Sequence, residues 1–514
     1  MMSFNLTEQT WIPVVSKDFQ LKEVSLLELF ETWSAYKEIR GDNPPTTLAI
    51  YRFLLAILHR AYDGPRNEDH WEEISEDDGQ KAIVYLQDHR DCFDLLHPER
   101  PFMQDITLTQ DAAAEIYQAH VLHGNNTSTV FCHEHQWSGA SLSMTEAARL
   151  VLRLHWFDVG GRKTGTSVSA GVIPTMGAAN VLVRGQTLKE TLMLNLMQYN
   201  PKQEMPSVVR GEDLPSWERE PMTATERIPN GHIDYLTFQW RRVRLFCEDN
   251  RAVNVAFHGG DRLPKSIDAS QWECGVAYNK SKKGLFTVHL NLSRSLWRDS
   301  AAFLQSSEAG KRPRILEWVA ELQGEDLADK RLNLQVIGLS VDNAKHAKPL
   351  GWSSEEFSAP MIYLKQKKLW EALDTAIKAA NNYQNVFRSF KRSPYAVLAE
   401  VLKYGDAGKL AKTLDGESRY WATLDRAFPE LLFDLPDDHE TGADGIQVYG
   451  NKRLKEWTNT IQKAATEAFT ESIASIRNYE ARAASLRSLS YHLAVLRGDI
   501  DPKAKRKSKG KKAA

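Results

Sequence analysis

The sequence predicts an α+β protein, in which a large mixed α/β N-terminal domain, residues 1–356, precedes a C-terminal four-helix bundle, residues 357–500. Three observations carry this prediction. The chain has 514 residues, more than one hydrophobic core usually serves. Short β-branched and aromatic stretches separated by Gly and Pro fill residues 235–288, which is typical of strands. From about Phe357 onwards, apolar residues recur every three or four positions, which is typical of helices.

Composition favours a soluble, globular chain. Apolar residues make up 42% and charged residues 26%, and no apolar run approaches the roughly 18 residues that a membrane helix needs. The N-terminus lacks the layout of a secretory signal, so we expect a cytoplasmic location and no membrane partner. Four scattered cysteines without Cys-x-x-Cys spacing indicate neither a disulfide framework nor a zinc ribbon.

Charge limits the kind of nucleic-acid contact that we expect. The formal net charge is −2, and a protein that wraps nucleic acid unaided needs excess Lys and Arg. Any DNA contact should therefore be local. The exception is the lysine-rich tail at residues 501–514, which we expect to be disordered.

The N-terminal region opens with a strand and two helices. Trp11 to Val15 reads as a short strand, and Ser25 begins a capping box three residues before Glu28. A helix follows Pro44 and Pro45 and ends before Gly64. Its predicted buried face consists of Leu48, Tyr51, Leu55 and Leu58.

Two irregular segments flank one helix in the next part of the chain. Residues 124–143 are mostly polar and predict a long exposed loop. Ser143 then begins a second capping box, and its helix is predicted to run through Leu154. Residues 160–165 predict a flexible glycine segment.

Four apolar stripes predict the helices of the bundle. They are Trp370, Leu373, Ile377 and Ala380; Tyr420, Leu424 and Phe428; Leu454, Trp457, Ile461, Ala464 and Ala468; and Leu486, Leu489, Leu493 and Leu496.

The glycine segment is the first candidate site. Thr166 stands where a phosphate loop requires Lys, so nucleotide hydrolysis is not supported. Glycines still let a backbone approach a ligand closely, and Arg162 and Lys163 suit phosphates or base edges. The alternative is a plain connector.

A second candidate lies in the preceding loop. His133, His135 and Cys132 are possible metal ligands, although no further ligand cluster stands nearby. Phe131 and Trp137 favour docking into a partner instead. No motif brings acids and bases together for hydrolysis, so we expect no catalytic residue, cofactor or metal, and no enzyme.

Several segments, in order, resemble the CasA family, the large subunit of the type I-E CRISPR Cascade complex. They are Phe4 to Leu6 with Trp11 to Val14, His97 to Gln104, Leu182 to Gly185, Asp213 to Glu218, Leu236 to Arg242, Leu296 to Asp299 and Gly338 to Lys345. The resemblance implies a protein of antiviral defence that reads the protospacer-adjacent motif (PAM) in target DNA through the minor groove. It also implies that the protein promotes strand opening, forming an R-loop, and helps to recruit a helicase-nuclease. The implied partners are the other Cascade subunits, the guide RNA, double-stranded target DNA and that helicase-nuclease.

The resemblance also implies roles for particular residues. Phe131, Cys132 and His133 look like the loop that anchors the subunit and approaches the DNA, and Gly160 and Gly161 look like the glycine loop at the minor groove. Lys265 is the candidate for a lysine that reaches that groove. Asp342, Asn343 and Ala344 are similar to the wedge that parts the duplex.

Two other kinds of function remain open from the sequence. One is a metal-dependent nuclease that uses His133, His135 and distant acids. The other is an interaction scaffold whose helical bundle bridges partners.

Overall fold

The structure, a computed structural model, describes residues 3–119, 140–164, 169–171, 173–198, 212–220, 224–282, 284–292, 294–304, 310–324, 327, 330–342, 348–441 and 447–500. The chain divides into two compact units. The first unit comprises residues 1–327 and 331–358, and the second comprises residues 328–330 and 359–514. Both helices and strands are present, so the predicted mixed α+β class is confirmed. Among the described residues, no helix has the length and apolar character to span a bilayer.

The helices of the described chain lie in both units. They are α1 (Leu26–Thr32), α2 (Pro44–Tyr62), α3 (Glu68–Glu76), α4 (Gln80–Asp88), α5 (Met144–Trp156), α6 (Leu188–Asn195), α7 (His232–Leu236), α8 (Ser300–Leu304), α9 (Arg314–Leu322), α10 (Lys367–Tyr383), α11 (Pro394–Val401), α12 (Ala407–Leu414), α13 (Gly416–Asp434), α14 (Arg453–Ser472) and α15 (Tyr479–Arg497).

The strands are mostly short. They are β1 (Ile12–Ser16), β2 (Leu21–Val24), β3 (Tyr36–Ile39), β4 (Ala114–Glu115), β5 (Leu142–Ser143), β6 (Gly161–Arg162), β7 (Ser169–Ala170), β8 (Asn180–Val183), β9 (Arg241–Glu248), β10 (Arg251–Gly259), β11 (Tyr278–Ser281), β12 (Gly284–Thr287), β13 (Gly310–Lys311), β14 (Arg331–Asp342), β15 (Lys348–Pro360), β16 (His439–Thr441) and β17 (Gln447–Tyr449).

These strands form several small sheets. The strand orders are β2-β1-β3, β4-β10-β5 with β9 also paired to β10, β12-β11-β13, β15-β14-β8, β16-β17 and β6-β7. The long antiparallel pair of β9 and β10 has Phe257 opposite Val243 and Gly259 opposite Arg241. Because a strand alternates its side chains between two faces, this register fixes which residues at the end of β10 face the interior.

Helix α2 is the central element of the first unit. Asn43 caps its N-terminus by accepting a hydrogen bond from the Thr46 backbone N–H, as an N-cap residue should. The predicted face of Leu48, Tyr51, Leu55 and Leu58 is buried, but so is nearly every other residue of the helix. The single-face prediction is therefore incomplete, because elements pack against α2 on several sides.

The capping box at Ser143 is confirmed. The Ser143 Oγ accepts from the Glu146 N–H at 3.3 Å, and the Glu146 Oε2 accepts from the Ser143 N–H at 2.8 Å. Both bonds satisfy backbone donors that a helix start otherwise leaves unpaired. The helix continues to Trp156, two residues beyond the predicted end.

The second unit is dominated by helices. The predicted stripes are buried at their centres: Leu373 and Ile377 on α10, Leu424 on α13, Ile461 on α14 and Leu489 on α15. Phe357 itself lies in β15, which runs to Pro360, and the first long helix of this region, α10, begins at Lys367.

Candidate nucleic-acid interface

The glycine segment folds into a small antiparallel hairpin, which we call the glycine hairpin. Strand β6 pairs with β7 so that Gly161 lies opposite Ala170. Gly161 has a φ of +116°, which L side chains rarely adopt, and a Cβ added at Gly160 would lie 3.2 Å from the Ala170 carbonyl oxygen. Glycine is thus required at one position by backbone conformation and favoured at the other by close backbone approach. Gly161 and Arg162 of the segment are therefore paired in a strand.

A buried ionic cluster fixes the base of the glycine hairpin. The Asp158 carboxylate accepts from the Lys163 Nζ at 2.9 Å and from the Arg241 Nε at 2.5 Å. The Arg241 Nη2 also donates to the Asp158 carbonyl at 2.8 Å. The Arg241 side chain is fully buried, so the cluster replaces the hydration that these charges have lost.

Electrostatics keep this cluster ionised. Burial pushes the pKa of Asp158 upward, but the positive charges of Lys163 and Arg241, with their hydrogen bonds, outweigh it and hold that pKa below its ordinary value. Burial lowers the pKa of Lys163, and Asp158 opposes that shift. The cluster therefore acts as a fixed support for the backbone.

The other side of the glycine hairpin is attached to β10. The Thr164 Oγ1 accepts from the Phe257 N–H at 2.8 Å and donates to the Phe257 carbonyl at 3.1 Å. The Thr164 N–H donates to the same carbonyl at 3.3 Å. The Lys163 Nζ lies 5.5 Å from the centre of the Phe257 ring, within the range of a cation–π interaction. Strand β10 thus supports the glycine hairpin through these contacts with Phe257.

Beyond β10, the chain carries a short basic segment that we call the basic turn, residues Arg262 to Lys265. The side chains of Arg262 and Lys265 are both exposed, and neither forms an ion pair within the described part of the chain. The Arg262 backbone is held by a bridge to Glu226 and by hydrogen bonds with Thr225 and Arg227 at 3.0 and 2.9 Å. The side chains of these two cations are therefore open to a ligand.

The structure brings the basic turn beside the glycine hairpin. A Cβ added at Gly171, the residue after β7, would lie 3.4 Å from the Arg262 Cδ. Arg262 thus lies beside the glycine hairpin, and Lys265 follows Arg262 three residues later in the chain. The arrangement offers exposed backbone next to positive side chains, which suits phosphate or base-edge oxygens.

Two residues in this neighbourhood differ from the prediction. Lys163 was expected near phosphates, but its side chain is only 4% exposed and is paired with Asp158, so that expectation is wrong. Arg262 was overlooked. Its only sequence signal is its place just after the Gly259-Gly260 pair that ends β10.

The remaining predicted site residues are described in part or not at all. Phe131, Cys132 and His133 lie outside the described residues, as do Asn343 and Ala344. Asp342 is the last residue of β14, which belongs to the sheet of β8, β14 and β15. Within the described ranges, no group of three or more His, Cys, Asp and Glu side chains is placed to hold a metal ion.

Comparisons with known proteins agree with this architecture. The family model of CRISPR-associated protein Cse1 matches residues 5–468. The CasA/Cse1 protein of Thermus thermophilus is 30% identical over 496 residues, which cover 91% of each chain.

Two solved structures show the same fold. The crystal structure of Thermobifida fusca Cse1 is similar with a TM-score of 0.77 at 25% identity, covering 96% of this chain and 98% of that one. A chain of a CRISPR RNA-guided surveillance complex has a TM-score of 0.75 at 20% identity, covering 96% and 100%. At that identity, the second likeness concerns the fold alone.

Proposed function

This chain belongs to the CRISPR-associated Cse1 (CasA) family, and from that premise we propose that it is the large subunit of a type I-E CRISPR RNA-guided surveillance complex. In this proposal it reads the PAM of target DNA through the minor groove, promotes strand opening and helps to recruit the helicase-nuclease. The observation that carries the proposal is the placement of the glycine hairpin beside Arg262 of the basic turn.

Assembly with guide RNA and other subunits is supported by the shared fold, because a chain of this fold is found in an RNA-guided surveillance complex. We propose that the loop at Phe131, Cys132 and His133 anchors the subunit there. A large apolar side chain in a polar segment of sequence is best explained by burial in a partner.

Minor-groove reading suits the chemistry of the site. The minor groove distinguishes chiefly A·T from G·C pairs, so backbone groups and a few cations suffice for coarse discrimination. The backbone at Gly160 and Gly161 would approach base edges, while Lys265 and Arg262 would contact phosphate or groove oxygens. We therefore expect tolerance of several related motifs.

We assign strand opening to Asp342, the last residue of β14, and to Asn343 and Ala344, which follow it in the sequence. Inserting side chains between stacked bases costs a few kcal/mol of unstacking free energy, and growth of the RNA–DNA duplex offsets this cost. This role needs no hydrolysis, cofactor or metal from the subunit.

We further propose that residues 1–356 form the motif-reading domain and residues 357–500 a four-helix bundle that contacts partners. The long helices α10, α13, α14 and α15 would be its four members. The lysine-rich segment 501–514 would add salt-sensitive affinity for nucleic acid. We propose a cytoplasmic location for the assembly.

Replacing Lys265 with Ala should weaken binding of the assembled complex to duplex DNA that carries the motif. Each lost phosphate contact should reduce the slope of log K against log salt by about 0.9, and Arg262→Gln should do the same. The measurement is a salt titration of binding affinity for each variant complex at equal subunit occupancy.

Lys17→Ala is the matched control, since Lys17 is an exposed lysine in the turn between β1 and β2, which belong to a separate sheet. An unchanged slope for both Lys265→Ala and Arg262→Gln would contradict the proposed groove. Binding of the complex with and without the subunit separates motif reading from a purely scaffolding role, and a cleavage assay with metal analysis tests for a nuclease.

Asn343→Ala should reduce strand opening at matched targets more than it reduces assembly, because the Asn amide can replace hydrogen bonds of an opened base pair. Permanganate reactivity of thymines beside the motif measures the opening. Unchanged reactivity in Asn343→Ala, with a loss in Lys265→Ala, would move the opening function away from this segment.

A further inference from the structure

A loop in the second unit carries an unusual concentration of exposed charge. Residues Arg388 to Arg392, between α10 and α11, are all exposed and include Lys391 as a third cation. None of these three cations makes an ion pair with a described residue. Phe390, in the middle of the loop, is 42% exposed. We call this segment the basic aromatic loop.

Hydrogen bonds and a ring contact join the loop to Ser393, the N-cap of α11, and to α15. The Arg392 carbonyl accepts from the Ser488 Oγ at 2.8 Å and from the His492 Nε2 at 3.0 Å. The Phe390 N–H donates to the Ser393 Oγ at 3.2 Å, and its ring meets the His492 ring nearly edge to face, with centroids 5.2 Å apart. Arg392 itself has a φ of +66°, which is uncommon for a residue with a side chain.

A second group of exposed residues adjoins the loop. A Cβ added at Gly408 would lie 3.9 Å from the Ser389 Cβ, so the start of α12 is next to the loop. Lys403 and Lys409 are exposed there, and Tyr404 is 41% exposed. The exposed acids in the same stretch are Glu400 and Asp406, and the Asp406 Oδ1 already accepts from the Lys409 N–H. Cations therefore outnumber acids across this surface.

Partly exposed aromatic rings set among unpaired cations match one kind of ligand. Single-stranded nucleic acids bind proteins by stacking bases on aromatic rings while positive side chains follow the backbone. A paired duplex keeps its bases stacked on one another and has no free base face for Phe390. We propose that the basic aromatic loop, together with the exposed Tyr404 and Lys409 around the start of α12, binds a short segment of single-stranded nucleic acid.

Two features distinguish this loop from a surface with randomly placed charges, and both favour single-stranded nucleic acid as its ligand. The fixed loop avoids the ordering cost that a flexible basic segment incurs on binding. The rings also provide a contact that salt does not screen, unlike the lysine-rich segment 501–514. This site lies in a different unit from the glycine hairpin and takes a different form of nucleic acid, so it extends the proposed function.

The test uses the full-length chain and measures binding of a labelled dT12 oligonucleotide by fluorescence anisotropy over a range of salt. Because stacking contributes substantially for each base, Phe390→Ala should weaken binding about tenfold without changing the salt slope. The double variant Lys391→Gln with Arg392→Gln should instead reduce the slope of log K against log salt by about 1.4, because it removes two phosphate contacts and each contact to a single strand contributes about 0.7. The same measurement with rU12 distinguishes DNA from RNA as the preferred strand.

Tyr479→Ala is the matched control, since Tyr479 is 80% exposed on the same unit but at the opposite end of α15 from His492. Circular dichroism establishes that each variant is folded. The proposal is overturned if Phe390→Ala weakens binding no more than Tyr479→Ala does. It is equally overturned if the variants lose binding to polyglutamate but keep their affinity for dT12, because the loop then takes an acidic polypeptide.

Discussion

Asp158→Ala should lower the free energy of unfolding of the chain by about 3–5 kcal/mol, the cost of leaving buried charges without their partner. In the native protein this one carboxylate neutralises both Lys163 and Arg241, whose side chains are 4% and 0% exposed. Its removal leaves two cations in a site that water does not reach. The measurement is urea denaturation followed by tryptophan fluorescence, with circular dichroism as a second probe.

The matched control is Glu28→Ala, which removes the partner of Lys22 from an ion pair whose side chains are 46% and 41% exposed. An exposed pair contributes at most about 1 kcal/mol, so this variant should be nearly as stable as the parent. Equal stability losses in Asp158→Ala and Glu28→Ala would show that the buried cluster is not the support of the glycine hairpin.

The pH dependence of Asp158 has a definite sign. Its pKa is lower in the folded protein than in the unfolded chain, so its contribution is complete above the unfolded value, about 3.9, and is lost only as the pH falls through the lower folded value. At pH 5, the difference in stability between the parent protein and Asp158→Ala should therefore be as large as at pH 7.

Local signals in the sequence were sufficient for several elements. Asn43, Pro44 and the apolar spacing after them specify α2, and Ser143 with Glu146 specifies the start of α5, because capping involves residues three apart in the chain. The glycine hairpin was predicted only as a flexible segment. Its pairing between Gly161 and Ala170 was not predicted, because the two strands contribute only two residues each and carry no alternating pattern.

The contacts that define the candidate site join distant parts of the chain. Asp158 and Arg241 are hydrogen-bonded to each other although they are 83 residues apart in the sequence. Periodicity reports which face of an element is apolar, but it does not report which distant charge will meet another. For this reason the sequence suggested that Lys163 binds a ligand, although its side chain is buried and paired with Asp158. For the same reason Arg262 was overlooked.

The position of the basic turn depends on how β9 and β10 end. The Gly260 N–H donates to the Trp240 carbonyl at 3.0 Å, and the Asp261 N–H donates to the Gln239 carbonyl at 2.9 Å. The Asp261 carboxylate then binds Arg227 at 2.8 Å and Arg242 at 2.9 Å. These contacts fix the direction in which the chain leaves the sheet, and hence where Arg262 and Lys265 lie.

Gly260→Ala should therefore disrupt the site without changing any charged residue. A Cβ at this position would lie 2.0 Å from the Gln239 carbonyl oxygen, whereas real Cβ contacts are essentially never closer than 3.0 Å. The two backbone segments must separate by about 1 Å, the difference between these distances, which breaks the hydrogen bonds that end the sheet. We expect a loss of about 3 kcal/mol in the free energy of unfolding, at the upper end of overpacking costs.

The effect of Gly260→Ala on DNA binding distinguishes the geometry of the site from its charge. Complexes that contain Gly260→Ala should lose affinity for motif-bearing duplex at least as strongly as those with Lys265→Ala, although both cations are still present. Gly405→Ala is the control for stability, because a Cβ there would meet no atom within 4 Å, and Lys17→Ala is the control for affinity. Affinity measured well below the melting temperature of each variant excludes unfolding as the cause. If folded Gly260→Ala binds like the parent, the direction of the chain after β10 does not position the basic turn on DNA, and the groove must be built from other residues.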